Sequence, residues 1–182
     1  MSSTALIVID VQNGMFANPE MQPHGGDEFL ARLSDLVTRA RTAGNHVLFV
    51  QHDGGAGHPL EKPSETWEIH PGTGYQRGDA VVEKSECDAF HATDMQKRLE
   101  ADGINRLVLA GMMTEFCVDT TCRRAFSLGY EVILASDGHS TFSREDLSAD
   151  QIIQHHNSVL GSGFATLQPC SEITFSNAKV QA

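Results

Sequence analysis

Six apolar runs of strand length recur along the chain at 5–9, 47–50, 80–83, 107–110, 132–135 and 164–167. They are continuous rather than alternating, which is what strands covered on both faces require, and that is the signature of a parallel sheet. Amphipathic segments separate most of them. Residues 27–43 put Phe29, Leu30, Leu33, Leu36, Val37 and Ala40 on one helical stripe. Thr93 with Gln96, and Ser148 with Gln151, have the spacing of capping boxes. Gly44, Gly103, Gly129 and Gly161 close the expected helices as left-handed C-caps. Strand–helix alternation of this kind predicts an open α/β sheet with helices on both faces.

A length of 182 residues predicts one domain, residues 1–182, able to bury roughly 70% of its unfolded surface. A net charge of −11 argues against nucleic acid or an anionic membrane as partner, since both call for basic patches. Every apolar run is too short to span a bilayer. Met1-Ser2-Ser3-Thr4 leads straight into the first run, so no secretory leader is expected. The cysteines at 87, 117, 122 and 170 have neither zinc-ribbon spacing nor the density of a disulfide scaffold, which predicts a reduced, cytoplasmic protein. No Gly-x-Gly-x-x-Gly or P-loop pattern follows a strand. The one long irregular stretch, 53–79, holds five glycines before residue 75 and three prolines, and a loop of that length is more often functional than idle.

Three residues stand at the carboxyl ends of separate runs. Asp10 ends Ala5-Leu6-Ile7-Val8-Ile9, Lys84 ends Ala80-Val81-Val82-Glu83, and Cys117 follows Leu107-Val108-Leu109-Ala110 within Gly111-Met112-Met113-Thr114-Glu115-Phe116-Cys117-Val118. Taken singly, each has an ordinary explanation: a loop cap, a solvated strand end, a packed thiol. Together they are a nucleophile, a base for its proton and a cation to hold charge. With Thr114 as N-cap, Cys117 falls at the third helical position, where free N–H groups favour a thiolate. Cys122, Cys87 and Cys170 are expected to pack in the core. Cys117 and Arg123 share the Cys-x5-Arg spacing of tyrosine phosphatases, but Val118-Asp119-Thr120-Thr121-Cys122 lacks a phosphate-cradling glycine loop.

Asp10-Val11-Gln12-Asn13 with Phe16, Lys84 followed by Asp88-Ala89-Phe90, Gly111 through Val118, and Ala135-Ser136-Asp137-Gly138 together resemble the isochorismatase-like cysteine hydrolases, in order and spacing. That resemblance implies a three-layer α/β/α fold around a mostly parallel six-stranded sheet of order 3-2-1-4-5-6. In such a sheet the ligand crevice lies beyond the strands ending at Asp10 and Gly111. Lys84 starts two strand spacings (~10 Å) from Asp10 and has to lean inward. The resemblance assigns Asp10, Lys84 and Cys117 as a catalytic triad and implies a cis Met112–Met113 peptide. It further implies a thioester route for hydrolysing an amide, carbamoyl, ureido or lactam bond, with an oxyanion on the N–H groups of Met113 and Cys117. Phe16, Trp67, Phe116, Thr114 and His139 are the expected substrate contacts, and His155 and His156 are expected to pack or lie at an interface.

Nicotinamidases resemble this chain around 52–70 and hold a divalent metal there through an aspartate and histidines. Here His52 takes the place of the aspartate and Gly54 that of the first histidine, leaving His70 alone matched, so no metal and no cofactor is expected. The resemblance also implies a small-molecule substrate and a homodimer or homotetramer. An isochorismatase-type vinyl-ether hydrolase and a catalytically silent binding member of the fold are the alternatives.

Overall fold

The computed structural model describes residues 3–175. Six strands, β1 (Ser3–Ile9), β2 (His46–His52), β3 (Ala80–Lys84), β4 (Ile104–Met112), β5 (Glu131–Ser140) and β6 (Thr166–Gln168), form one all-parallel sheet of order β3-β2-β1-β4-β5-β6. Successive residues of β1 feed opposite cores, as the two-residue period of a strand requires. Ala5, Ile7 and Ile9 pack with Met95, Leu99, Val118, Cys122 and Leu160, while Leu6 and Val8 pack with Phe29, Leu33, Leu36 and Ala40. Hence α1 (Gly26–Thr42) covers one face, and α2 (Met95–Ala101), α3 (Asp119–Ser127) and α4 (Ala149–Gly161) cover the other. Because both faces are covered, the runs read as continuous. Among the described residues no helix is long and apolar enough to cross a membrane.

Some local expectations need correction. Ser148 forms its capping box with Gln151, but Thr93 does not. The α2 helix starts at Met95, and the Thr93 hydroxyl instead donates to the Ala89 carbonyl at 2.7 Å while accepting the Met95 N–H at 3.3 Å. Gly44, Gly103 and Gly129 take positive φ after their helices, at 72°, 63° and 89°. Gly161 does not: it is the last residue of α4, and it is small because an added methyl would meet Leu167 Cδ1 at 2.8 Å. The last strand lies at 166–168 rather than 164–167, because the N–H groups of Phe164 and Ala165 still bond to the Leu160 carbonyl of α4.

Gly111 sets how closely β1 and β4 approach. Its φ is +133°, and an added Cβ would stand 2.1 Å from the Ile9 carbonyl oxygen. The carboxyl end of β4 therefore lies directly against the carboxyl end of β1, and the two candidate residues that follow them are drawn together.

Candidate active site

Asp10 follows β1 with φ at +50°, a left-handed turn that directs the chain out of the sheet while its N–H still bonds to the Val50 carbonyl at 3.0 Å. Asp is one of the few residues that adopts this conformation without large penalty. Lys84 ends β3 in register with His52 of β2. Despite the intervening strand, its side chain leans inward, and Nζ stands 2.6 Å from Asp10 Oδ2 with both side chains fully buried. Nζ also lies 3.3 Å from Cys117 Sγ and donates to the Glu86 carbonyl at 2.9 Å. Beyond Lys84 and the Cys117 thiol, the described residues give the Asp10 oxygens no partner.

Cys117 sits in a π-helical turn, Thr114–Val118, that runs into α3. This corrects the expected helix start. Met113, not Thr114, is the cap residue, so Cys117 is the fourth residue of the turn. The Thr114 side chain is instead buried against His139 Nδ1 at 2.9 Å. The Met113 carbonyl accepts the N–H groups of Phe116 and Val118, on either side of Cys117. The Met112–Met113 peptide is cis.

Burial, and then the Asp10 charge, push the Cys117 thiol above its ordinary range, and Lys84 only partly offsets them. Burial therefore opposes the thiolate that the helix terminus was expected to favour. Burial also raises Asp10, against the pull of Lys84. For Lys84, burial opposes the charge, but Asp10 and Cys117 outweigh it and its pKa is raised. One buried cation thus calls for one anion. Asp10 carries that charge, because a second negative charge in so enclosed a place has nothing to balance it.

A cavity of about 370 Å³ opens beside the three residues. Asp10 and Cys117 line it together with His52 and His58, and Met15, Met21, Leu60, Met113, Phe116 and Phe142 give it much of its apolar lining. Of the five expected substrate contacts, Phe116 alone lines it. Phe16 packs against His70 at a tilt, with ring centroids 4.6 Å apart, and Trp67 is buried under Lys62, its carbonyl accepting from the Gln12 and Gln51 side chains. Thr114 and His139 bond to one another below the surface. Cys87 was expected in the core but lines the cavity, whereas Cys122 and Cys170 are buried as expected. His156 packs against Asp119, which Arg123 also pairs with, so the Cys117–Arg123 spacing has no phosphate-loop geometry behind it.

Met15, Met21, His58, Leu60 and Phe142 were not foreseen, since they lie in irregular segments without any periodicity to mark them. The hint for His58 was its place with His52 and His70 in or beside the long loop; Gly54 makes room for its ring, since an added Cβ would fall 1.9 Å from His58 Nδ1. Among the described residues no group of three or more His, Cys, Asp or Glu side chains is arranged to hold a metal ion.

Residues 4–159 match the isochorismatase domain model. The chain is 36% identical over 138 residues to a streptothricin hydrolase of Streptomyces noursei, covering 76% of this chain but only half of that enzyme. It is 29% identical to a ureidoacrylate amidohydrolase of Variovorax paradoxus, over 75% of this chain and 68% of that one. Among solved structures, an isochorismatase from Pseudomonas putida superposes with a TM-score of 0.86 at 30% identity, covering 93% of this chain and 89% of the other. The chain belongs to the isochorismatase family.

Proposed function

We propose that this member of the isochorismatase family is a cysteine hydrolase that cleaves a C–N bond of a small amide, carbamoyl, ureido or lactam compound through a thioester. The carrying observation is the double reach of Lys84, whose Nζ is 2.6 Å from Asp10 Oδ2 and 3.3 Å from Cys117 Sγ. The hydrolase names of its relatives, streptothricin hydrolase and ureidoacrylate amidohydrolase, support the same reading.

In this reaction Asp10 accepts the Cys117 proton as the sulfur attacks the substrate carbonyl carbon, so charge moves from carboxylate to sulfur and on to the carbonyl oxygen. Lys84 stays within reach of both donor and acceptor of that proton, and the buried site never has to hold two anions against one cation. The oxyanion rests on the N–H groups of Met113 and Cys117. Collapse breaks the C–N bond as Asp10 returns its proton to the leaving nitrogen. Water, deprotonated by Asp10, then attacks the thioester and releases the acid and the thiol.

The test is ammonia release from a panel of small amides and ureides by Cys117→Ala and Cys122→Ala. Cys122 is fully buried on the core-facing side of α3, so its variant should keep activity while Cys117→Ala loses it. Equal activity in the two variants would remove Cys117 as nucleophile. Pyruvate release from isochorismate in place of ammonia from amides would move the reaction to vinyl-ether cleavage.

A further inference from the structure

Lys84 has three N–H bonds to give. Four acceptors surround its Nζ: Asp10 Oδ2 at 2.6 Å, the Glu86 carbonyl at 2.9 Å, and Cys117 Sγ and His52 Nδ1 at 3.3 Å each. The two short contacts claim one N–H apiece. Sulfur and imidazole therefore compete for the third.

His52 is held firmly for that competition. It is the last residue of β2, beside Lys84 in the sheet register. The fully buried Gln12 side chain grips both of its backbone polar groups, Nε2 donating to the His52 carbonyl at 2.9 Å and Oε1 accepting its N–H at 3.0 Å. Burial first, then the Lys84 ammonium, keeps the imidazole below its ordinary pKa, so the ring stays neutral with a lone pair to offer. The other charged or titratable groups around it are Asp10 from the end of β1, Asp53 and His58 from the loop after β2, and Cys87, which lines the same cavity.

We propose, resting on the reading of Cys117 as nucleophile, that His52 is a positioning residue: at rest its Nδ1 takes the third N–H of Lys84, and that N–H passes to the sulfur as the thiol gives its proton to Asp10. A thiol sulfur is a weak acceptor and an imidazole nitrogen a good one, whereas a thiolate reverses the preference through its charge. His52 thereby holds the unoccupied site in its thiol form and keeps the sulfur unreactive until substrate arrives.

The experiment is the rate of iodoacetamide alkylation of Cys117, followed by peptide mass spectrometry so that Cys87, Cys122 and Cys170 are scored separately. It compares the unchanged chain with His52→Leu, which keeps bulk without an acceptor, and His52→Gln, which restores one. His52→Leu should alkylate about tenfold faster at neutral pH, equivalent to a profile displaced by about one unit toward acid, and His52→Gln should return toward the original profile. An unchanged profile, or one displaced toward alkaline pH, would overturn the proposal. Should His52→Leu fail to fold, His52→Ala against His52→Gln puts the same question. Alkylation does not depend on turnover, so a correct profile shift alongside no ammonia release would reject the amide substrates while leaving the role of His52 standing.

Discussion

Two buried polar clusters flank the turn at 114–118, and they are built on opposite plans. Asp10, Lys84 and Cys117 bring a full charge pair into the interior and leave the carboxylate with acceptor capacity that no further described residue fills. Thr114, His139 and Asn157 form a neutral chain. The Asn157 amide donates to the Ser136 carbonyl at 2.9 Å, which makes its oxygen the acceptor for His139 Nε2–H at 3.0 Å and leaves Nδ1 to accept the Thr114 hydroxyl at 2.9 Å. Buried polar groups are ordinarily satisfied, and a fully satisfied network specifies structure. Capacity left over beside a cavity is where a reacting atom can enter. Under the proposed mechanism, the difference separates a cluster that does chemistry from one that holds its neighbour in place.

The largest expected effect falls on the charged cluster. Cys117→Ala should lower turnover by roughly 10⁵-fold or more with the thermal midpoint nearly unmoved, as ammonia release and a melting curve on the same sample would show. Lys84→Met strands the Asp10 carboxylate without its cation. Urea unfolding should then register a loss of about 3–5 kcal/mol together with the loss of activity, and an intact stability would mean that the pair is less enclosed than its burial indicates.

The neutral cluster should betray itself through pH. Burial lowers His139 from 6.5 to about 4. A depressed folded pKa contributes stability that is complete above the unfolded value and lost as pH falls toward the folded one. Unfolding free energy should therefore drop by about 3 kcal/mol between pH 6.5 and 4, and His139→Gln should flatten that part of a urea series. The smallest effect belongs to Thr114→Val. It deprives His139 Nδ1 of its donor and should cost about 1–3 kcal/mol while turnover stays within tenfold. A collapse in turnover matching that of Cys117→Ala would erase the distinction between the clusters.

The charged cluster was legible in sequence because each member ends or closely follows an apolar run, and in a parallel sheet such ends converge at one edge. The resemblance supplied the order that brings them together. Thr114 shows where this stops. Its residue type suits an N-cap, but the chain enters a π-helical turn at Met113 and the hydroxyl finds His139, 25 residues further on. A local propensity carries no information about such a partner. Trp67 and Phe16 fail similarly, since an aromatic side chain on a loop can face inward or outward, and here Trp67 is buried away from the cavity that Met15 and Leu60 line. The upward push on the Cys117 thiol was not legible either, because it comes first from burial, which sequence does not report.

The left-handed backbone at Asp10 narrows what protein engineering can do with the acid. Extending its reach through Asp10→Glu adds a methylene beside a lysine already in contact and also exchanges a residue at ease with positive φ for one that resists it. Asn and Gly accept the turn but cannot relay a proton. Under the proposed mechanism, a library randomised at this codon should therefore return folded variants that are inert and very few that are both folded and active, so a search for new reactivity is better directed at the methionines and phenylalanines that line the cavity.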